Sequence, residues 1–430
     1  MIHACCGSLR LAATGLGALL AVLLLAPAGS SAQTPPLDLL TLHARALQTA
    51  PSLRAAEALR GEREAGLETA SSRLGPQVEA LWQAGEGQDR LAGRSHVAAL
   101  QLSQPLWDRP LRHSRDAARQ RLTASEAELA ASQQLQRQTS ARLVVQLHAQ
   151  TQLQQVQREL EKAYADEAQR MGVRHREGLT AAVDWRQSQS FQLLAGAGAR
   201  GGAQQLRALR LALAAHVGDA TLVDATIAGL RAQALPPPLQ AADTLSQRRE
   251  AQRAERDARQ EELEAARHAD SPTLSLQAQA QQNLQSRPRA GSEWSLQLRL
   301  PLWDSGSRAA GRHAASQRLL AAEAELLLMD RELAREQATQ AERLLAAREQ
   351  HATATAGLAA AEQTVAAMRV GQEQGTRSTT DVLLALQTQG QLRQLAVTAQ
   401  AEAWLAWIDG LVAQGRFDGA ALQALNTHLE

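Results

Sequence analysis

Histidines, carboxylates, serines and cysteines are the side chains that build catalytic and metal sites, and here they form no such pattern. The eleven histidines are scattered without metal-ligand spacing. His148, inside a long helical stretch, reads as a surface or packing residue. No Gly-rich phosphate loop and no Ser/His/Asp order stand out. Glu323 and Glu325 read as a solvated helix face, and Trp404 and Trp407, three apart, as core. Both cysteines, Cys5 and Cys6, fall in a leader expected to be removed. No catalytic residue, cofactor or metal is therefore expected. The charged residues with the most informative spacing are Asp184 and Asp381, each six residues beyond a glycine, Gly178 or Gly375. Both glycines follow helical runs and suit a left-handed C-cap. Both aspartates suit the N-cap of a returning helix. Their chemistry is charge pairing, and Arg377 stands close enough in sequence to neutralise part of it.

The helices that must position these residues are very long. After Pro110 there is no proline or glycine as far as Met171, and from Arg312 to Met368 the only glycine is Gly357. About 60 residues of helix span roughly 90 Å, far beyond an average globular helix of about 11–12 residues. Such lengths mean coiled coils or struts. Leu122 and Leu129, and Leu358 and Val365, stand seven apart, although no single heptad register is convincing. Asp108 and Asp304 are natural N-caps for the two helices.

The chain also repeats itself. Pro105-Leu106-Trp107-Asp108 recurs as Pro301-Leu302-Trp303-Asp304, an offset of 196 residues that Pro76 and Pro272 share. Met171 and Met368, Gly178 and Gly375, and Asp184 and Asp381 keep an offset of 197. Ordered matches of this kind mean duplication. The join is placed at Leu235-Pro236-Pro237-Pro238, which cannot continue a helix. The expected organisation is a signal peptide over 1–32, a first repeat over 33–238 and a second over 239–430. Each repeat begins with a helix, about Leu37 to Leu74 and about Leu239 to Ala269. A β-hairpin follows, about 76–107 and 272–303, and then a long helical hairpin.

The strands are read from period-two alternation. Trp294, Leu296, Leu298, Leu300 and Leu302 alternate with Ser295, Gln297, Arg299 and Pro301. Leu274, Leu276, Ala278 and Ala280 alternate with Ser275, Gln277 and Gln279. Val78, Ala80 and Trp82, then Ala98, Leu100 and Leu102, give a weaker version in the first repeat. Each strand has one greasy and one wet face. Four such strands cannot close a membrane barrel, which needs at least eight, and open edges are not tolerated in lipid. Two chains would supply eight strands and three would supply twelve. Trp107 and Trp303, at the strand-to-helix junctions, suit local packing or a membrane interface.

Composition agrees. Lys+Arg number 45 and Asp+Glu 44, so no basic stripe offers itself to nucleic acid. Helix formers dominate and aromatics are few, as in long helices packed through small residues. Arg10, the apolar run Leu11–Ala26 and the small residues Ser30-Ser31-Ala32 form a secretory signal, too short for a spanning anchor.

In these features the chain resembles the TolC-like outer-membrane efflux protein family over nearly the whole mature sequence. The carriers are the duplication, the two Pro-Leu-Trp-Asp strand ends, Asp304-Ser305-Gly306-Ser307-Arg308, and the turns Gly178-Leu179-Thr180-Ala181-Ala182-Val183-Asp184 and Gly375-Thr376-Arg377-Ser378-Thr379-Thr380-Asp381-Val382-Leu383. The resemblance implies a mostly α fold with a small β part, assembled as a homotrimer with a twelve-stranded barrel and a helical tunnel. It implies a passive exit duct for efflux or type I secretion. The duct would sit in outer-membrane lipid, extend into the periplasm, and dock to a periplasmic adaptor and an inner-membrane transporter. Gly178, Leu179, Thr180, Gly375, Thr376 and Ser378 would form the adaptor-contact tips. Asp184, Arg377 and Asp381 match the family's closing network, with Arg377 expected to pair with Asp184 or Asp381 across tips. Two positions depart from the family pattern: Leu384 stands where a second Asp can occur, and Gln372 where an aromatic partner can. The alternatives are a periplasmic adaptor, a coiled-coil scaffold and a hydrolase. The greasy-faced strands count against the first two, and no site supports the third.

Overall fold

The computed structural model describes residues 39–85, 95–219, 223, 234–239, 246–283 and 289–429. The leader at 1–32 and the hairpin loop at 86–90 lie outside the described residues. Helices α1 (Leu39–Thr49) and α2 (Pro51–Ser72) replace one expected helix. Pro51 separates them, because it has no N–H to give and fits the first turn of a new helix. Strands β1 (Gln77–Gly85) and β2 (Ser95–Trp107) follow, then α3 (Arg109–Arg176) and α4 (Ala182–Val217). The second half runs α5 (Gln247–Arg267), β3 (Thr273–Asn283), β4 (Arg289–Arg299), α6 (Ser307–Glu373), α7 (Thr379–Ala413) and a closing α8 (Gly419–Leu429). Mostly α with one small sheet is the fold class that the sequence implied.

Helix α3 has 68 residues and α6 has 67, each about 100 Å long. Asp108 caps α3, its side chain accepting from the Leu111 N–H at 2.9 Å. The second copy starts differently. Gly306, at φ +89°, is the N-cap of α6. Asp304 supports the start from two residues further back, accepting from the N–H groups of Gly306 (3.1 Å) and Arg308 (2.7 Å).

The four strands form one antiparallel sheet in the order β1-β2-β3-β4. Directly opposed residues in an antiparallel pair share a face. Leu102, Ala278 and Trp294 make one apolar row, and Ser103, Gln277 and Ser295 make a polar one. Pairing ends at Arg299, so Leu300 and Leu302 lie beyond the strand although the alternation includes them. Pro301, which cannot donate to a ladder, stands between them. Among the described residues the sheet's outer strands, β1 and β4, have no partner beyond them.

Two clusters hold the helices. The larger joins α1, α3, α4, α7 and α8 through Leu42, Leu147, Leu213, Trp404, Ile408 and Leu422. Trp404 donates its indole N–H to the Ala234 carbonyl at 3.1 Å. Along α6 the buried seam includes Leu333, Gln340, Ala347, Ala354 and Ala361, spaced by sevens. That is coiled-coil periodicity carried by small residues.

His43 lies inside the larger cluster. Burial, with help from Arg137 and His216, pushes its pKa down to about 4. An unfolded chain would bind a proton there near pH 6.5 while the folded chain would not, so stability rises with pH across that window. Lowering the pH from 7 to 5 should therefore reduce the thermal midpoint. His43→Leu should remove part of that slope, read by circular dichroism at several pH values. An unchanged slope would exclude His43 as its source.

Candidate functional site

At the ends of the long helices farthest from the sheet, each helical hairpin turns on a glycine. Gly178 and Gly375 both have φ of +74°, the left-handed region. Both turns close on bonds to the preceding helix. Leu179 N–H donates to Arg174 O at 2.8 Å, and the N–H groups of Thr376 and Arg377 donate to Gly371 O at 2.8 and 3.1 Å. A Cβ on Gly375 would touch nothing within 4 Å, so the glycine serves the backbone alone. Gly375→Ala should cost about 1–2 kcal/mol locally. The cost should appear as roughly tenfold faster hydrogen exchange at Thr376 and Arg377; unchanged protection would contradict the left-handed requirement.

The acidic residues sit one turn later than expected. The N-cap of α4 is Ala181, and Asp184 occupies its first turn, accepting from the Thr180 hydroxyl at 3.1 Å. The N-cap of α7 is Ser378, which forms a capping box with Asp381. The Asp381 carboxylate accepts from the Ser378 N–H at 2.9 Å, and the Ser378 hydroxyl accepts from the Asp381 N–H at 3.2 Å. Ser378 backbone and side-chain hydrogen bonds hold the Asp381 carboxyl below its ordinary range, and the Arg377 charge adds to this. Both carboxylates are also favoured by the positive end of the helix dipole.

Arg377 is exposed, and among the described residues its guanidinium makes no ion pair within the chain. Leu179 is 64% exposed and Leu384 49%. The turns therefore present Leu179, Thr180, Thr376, Arg377 and Ser378 outward, or partly so.

Within one chain the two hairpins are joined by polar contacts that the sequence reading missed. Thr380 Oγ1 donates to Gln187 Oε1 at 3.0 Å. Thr379 Oγ1 lies 3.2 Å from Met171 Sδ. Gln372, in place of the family's aromatic residue, donates to Glu167 Oε1 at 2.8 Å. The Glu167 side chain is fully buried and pairs with Arg170 at 2.6 Å. A buried carboxylate needs such partners, because an unpaired charge there is costly. Only the burial of Glu167 makes it stand out, since Glu167 and Gln372 are 205 residues apart. Further along, Arg393 bridges Glu159 on α3 (3.0 Å) and Glu362 on α6 (2.9 Å).

Long paired helices that merge into an open, one-face-apolar sheet and close in charged glycine turns define a wall segment of a membrane channel. The sequence matches the Outer membrane efflux protein family over residues 42–219 and 242–409, and the chain belongs to that family. It is an outer-membrane efflux channel protein, located in the outer membrane and extending into the periplasm. Solved structures share the fold. The outer membrane protein VceC from Vibrio cholerae superposes with a TM-score of 0.79 at 18% identity, covering 88% of this chain and 96% of that one. For the transmembrane channel protein CusC the values are 0.77 and 17%, over 88% and 92%. The CmeC outer membrane channel of Campylobacter jejuni gives 0.77 and 14%, over 91% and 90%. A search of curated proteins found no match. Nothing in these comparisons favours an adaptor or a scaffold.

Proposed function

We propose that three copies of this chain, exported by the leader at 1–32 and each built from two repeats, form one passive trans-periplasmic duct. Its twelve-stranded barrel lies in the outer membrane, and no catalytic chemistry is needed. The observation that carries this reading is the sheet, with four strands, an apolar face and, among the described residues, two unpaired edges. Edges in lipid require partners, and a heterologous contact repeated around an axis closes a ring. Apolar stripes on the helices support the same assembly. Leu193 and Leu211 on α4 are 70% and 71% exposed, five helical turns apart, and Leu327 and Leu345 on α6 are 52% and 54% exposed at the same spacing.

The tips form the periplasmic gate in this reading. Asp184 and Asp381 become rings of carboxylate around the axis, and Arg377 pairs across the tips to hold them closed. Gly178, Leu179, Thr180, Gly375, Thr376 and Ser378 meet the hairpin of a periplasmic adaptor, which couples the duct to an inner-membrane transporter. A photo-crosslinker placed at Thr376 should capture a periplasmic adaptor in intact cells, while one at Ser295 on the strands should not. Equal capture at both positions would contradict adaptor docking at the tips.

A further inference from the structure

The two repeats differ where strand meets helix, and among the described residues the difference leaves Arg112 without a carboxylate. Arg308, near the start of α6, is held by Asp304 at 2.7 Å and by Asp270 at 2.8 Å. Its equivalent 196 residues earlier is Arg112, and the equivalent of Asp270 is Leu74. Asp108 is engaged in capping Leu111 N–H, and Asp116, one turn further on, pairs with Arg115 and Arg119. Among the described residues Arg112 therefore has no carboxylate partner, and it stacks on Trp107 instead, its Cζ 5.1 Å from the ring centroid. Arg109 lies over the same indole at 5.5 Å. Both arginines are exposed. Both distances are within cation–π range.

Register places this group on the lipid side. A bulge between Pro105 and Trp107 shifts the pairing so that Trp107 stands opposite Leu274, which stands opposite Leu298. Trp107 thus ends the apolar row of the sheet, 43% exposed, at the point where the chain leaves the strands for the periplasmic helix. An indole at that level is an interfacial anchor. A planar guanidinium without a carboxylate is matched to phosphate oxygens.

We propose that Trp107, Arg109 and Arg112 form a binding site for the phosphate of an anionic phospholipid in the periplasmic leaflet, one site per protomer. The indole lies along the upper acyl chain and the two guanidiniums hold the headgroup phosphate. The second repeat lacks such a site because Arg308 is already neutralised. The site rests on the outer-membrane barrel reading above, and continuity with the apolar row selects a lipid over a soluble anion.

The test is native mass spectrometry of the full-length protein extracted with phosphatidylglycerol-doped detergent. Wild type should retain phosphatidylglycerol, and Arg109→Gln/Arg112→Gln should retain about tenfold less. Arg308→Gln should behave as wild type in retention. Added inorganic phosphate should not displace the lipid. Equal retention by the double variant in an intact oligomer would overturn the site alone. Displacement by inorganic phosphate would overturn the lipid assignment. A wild-type protein that does not come from the membrane as an oligomer would overturn the barrel reading and this site with it.

Discussion

Trp294→Arg should remove most of the protein from the outer membrane, while Ser295→Arg, one residue on, should leave it there. Trp294 is the middle residue of β4, 76% exposed on the apolar face, and opposed by Ala278. A cation on the lipid face at the bilayer midplane costs about 2–4 kcal/mol. A symmetric trimer repeats the cost three times, so the barrel would lose on the order of 10 kcal/mol, comparable to a whole domain's stability. Ser295 faces the other way, in a row with Gln277 and Ser103, where a channel lumen tolerates charge. Membrane fractionation and the yield of detergent-extracted oligomer would measure both variants. Equal loss in the two would mean that the face assignment is wrong, and no loss in either would remove the strands from the membrane.

Arg377→Glu should open the periplasmic end. In wild type the arginine is exposed beside Asp381 and, among the described residues, makes no ion pair, which leaves it available to a neighbouring tip. Reversing its sign places a second carboxylate beside Asp381 in each protomer. Like charges crowded around one axis repel, weakly screened at short range and more so in high salt. The expected result is a severalfold higher single-channel conductance in a planar bilayer, with increased sensitivity of cells to antibiotics. The effect should be larger at low ionic strength. Arg377→Lys, which keeps the charge but loses the fork geometry, should fall between. Conductance and leakage equal to wild type would remove Arg377 from the gate.

What the sequence disclosed follows from which signals are local. Period-two alternation around Leu276 and Leu296 is a local pattern and led directly to β3 and β4. The lack of proline beyond Pro110 and the scarcity of glycine gave α3 and α6 their length. The glycines at the turns were legible because a left-handed residue after a helix has few alternatives. Asp381 was misplaced by one turn because Ser378, three residues before it, is the better cap and completes a capping box, whereas Asp184 lies one turn beyond Ala181, which supplies no side-chain cap. The heptad seam of α6 was invisible to a search for leucines, since it consists mainly of Ala347, Ala354, Ala361 and Gln340. Pairing of β2 with β3, across the two repeats, and the Gln372–Glu167 clasp depend on the tertiary fold. No window of sequence contains both partners.

The most direct test of the account is the native mass of the protein extracted in detergent from isolated outer membranes. A trimer in that fraction is predicted, because twelve strands close a barrel and four cannot. A soluble monomer or dimer recovered from the periplasm would contradict the channel itself.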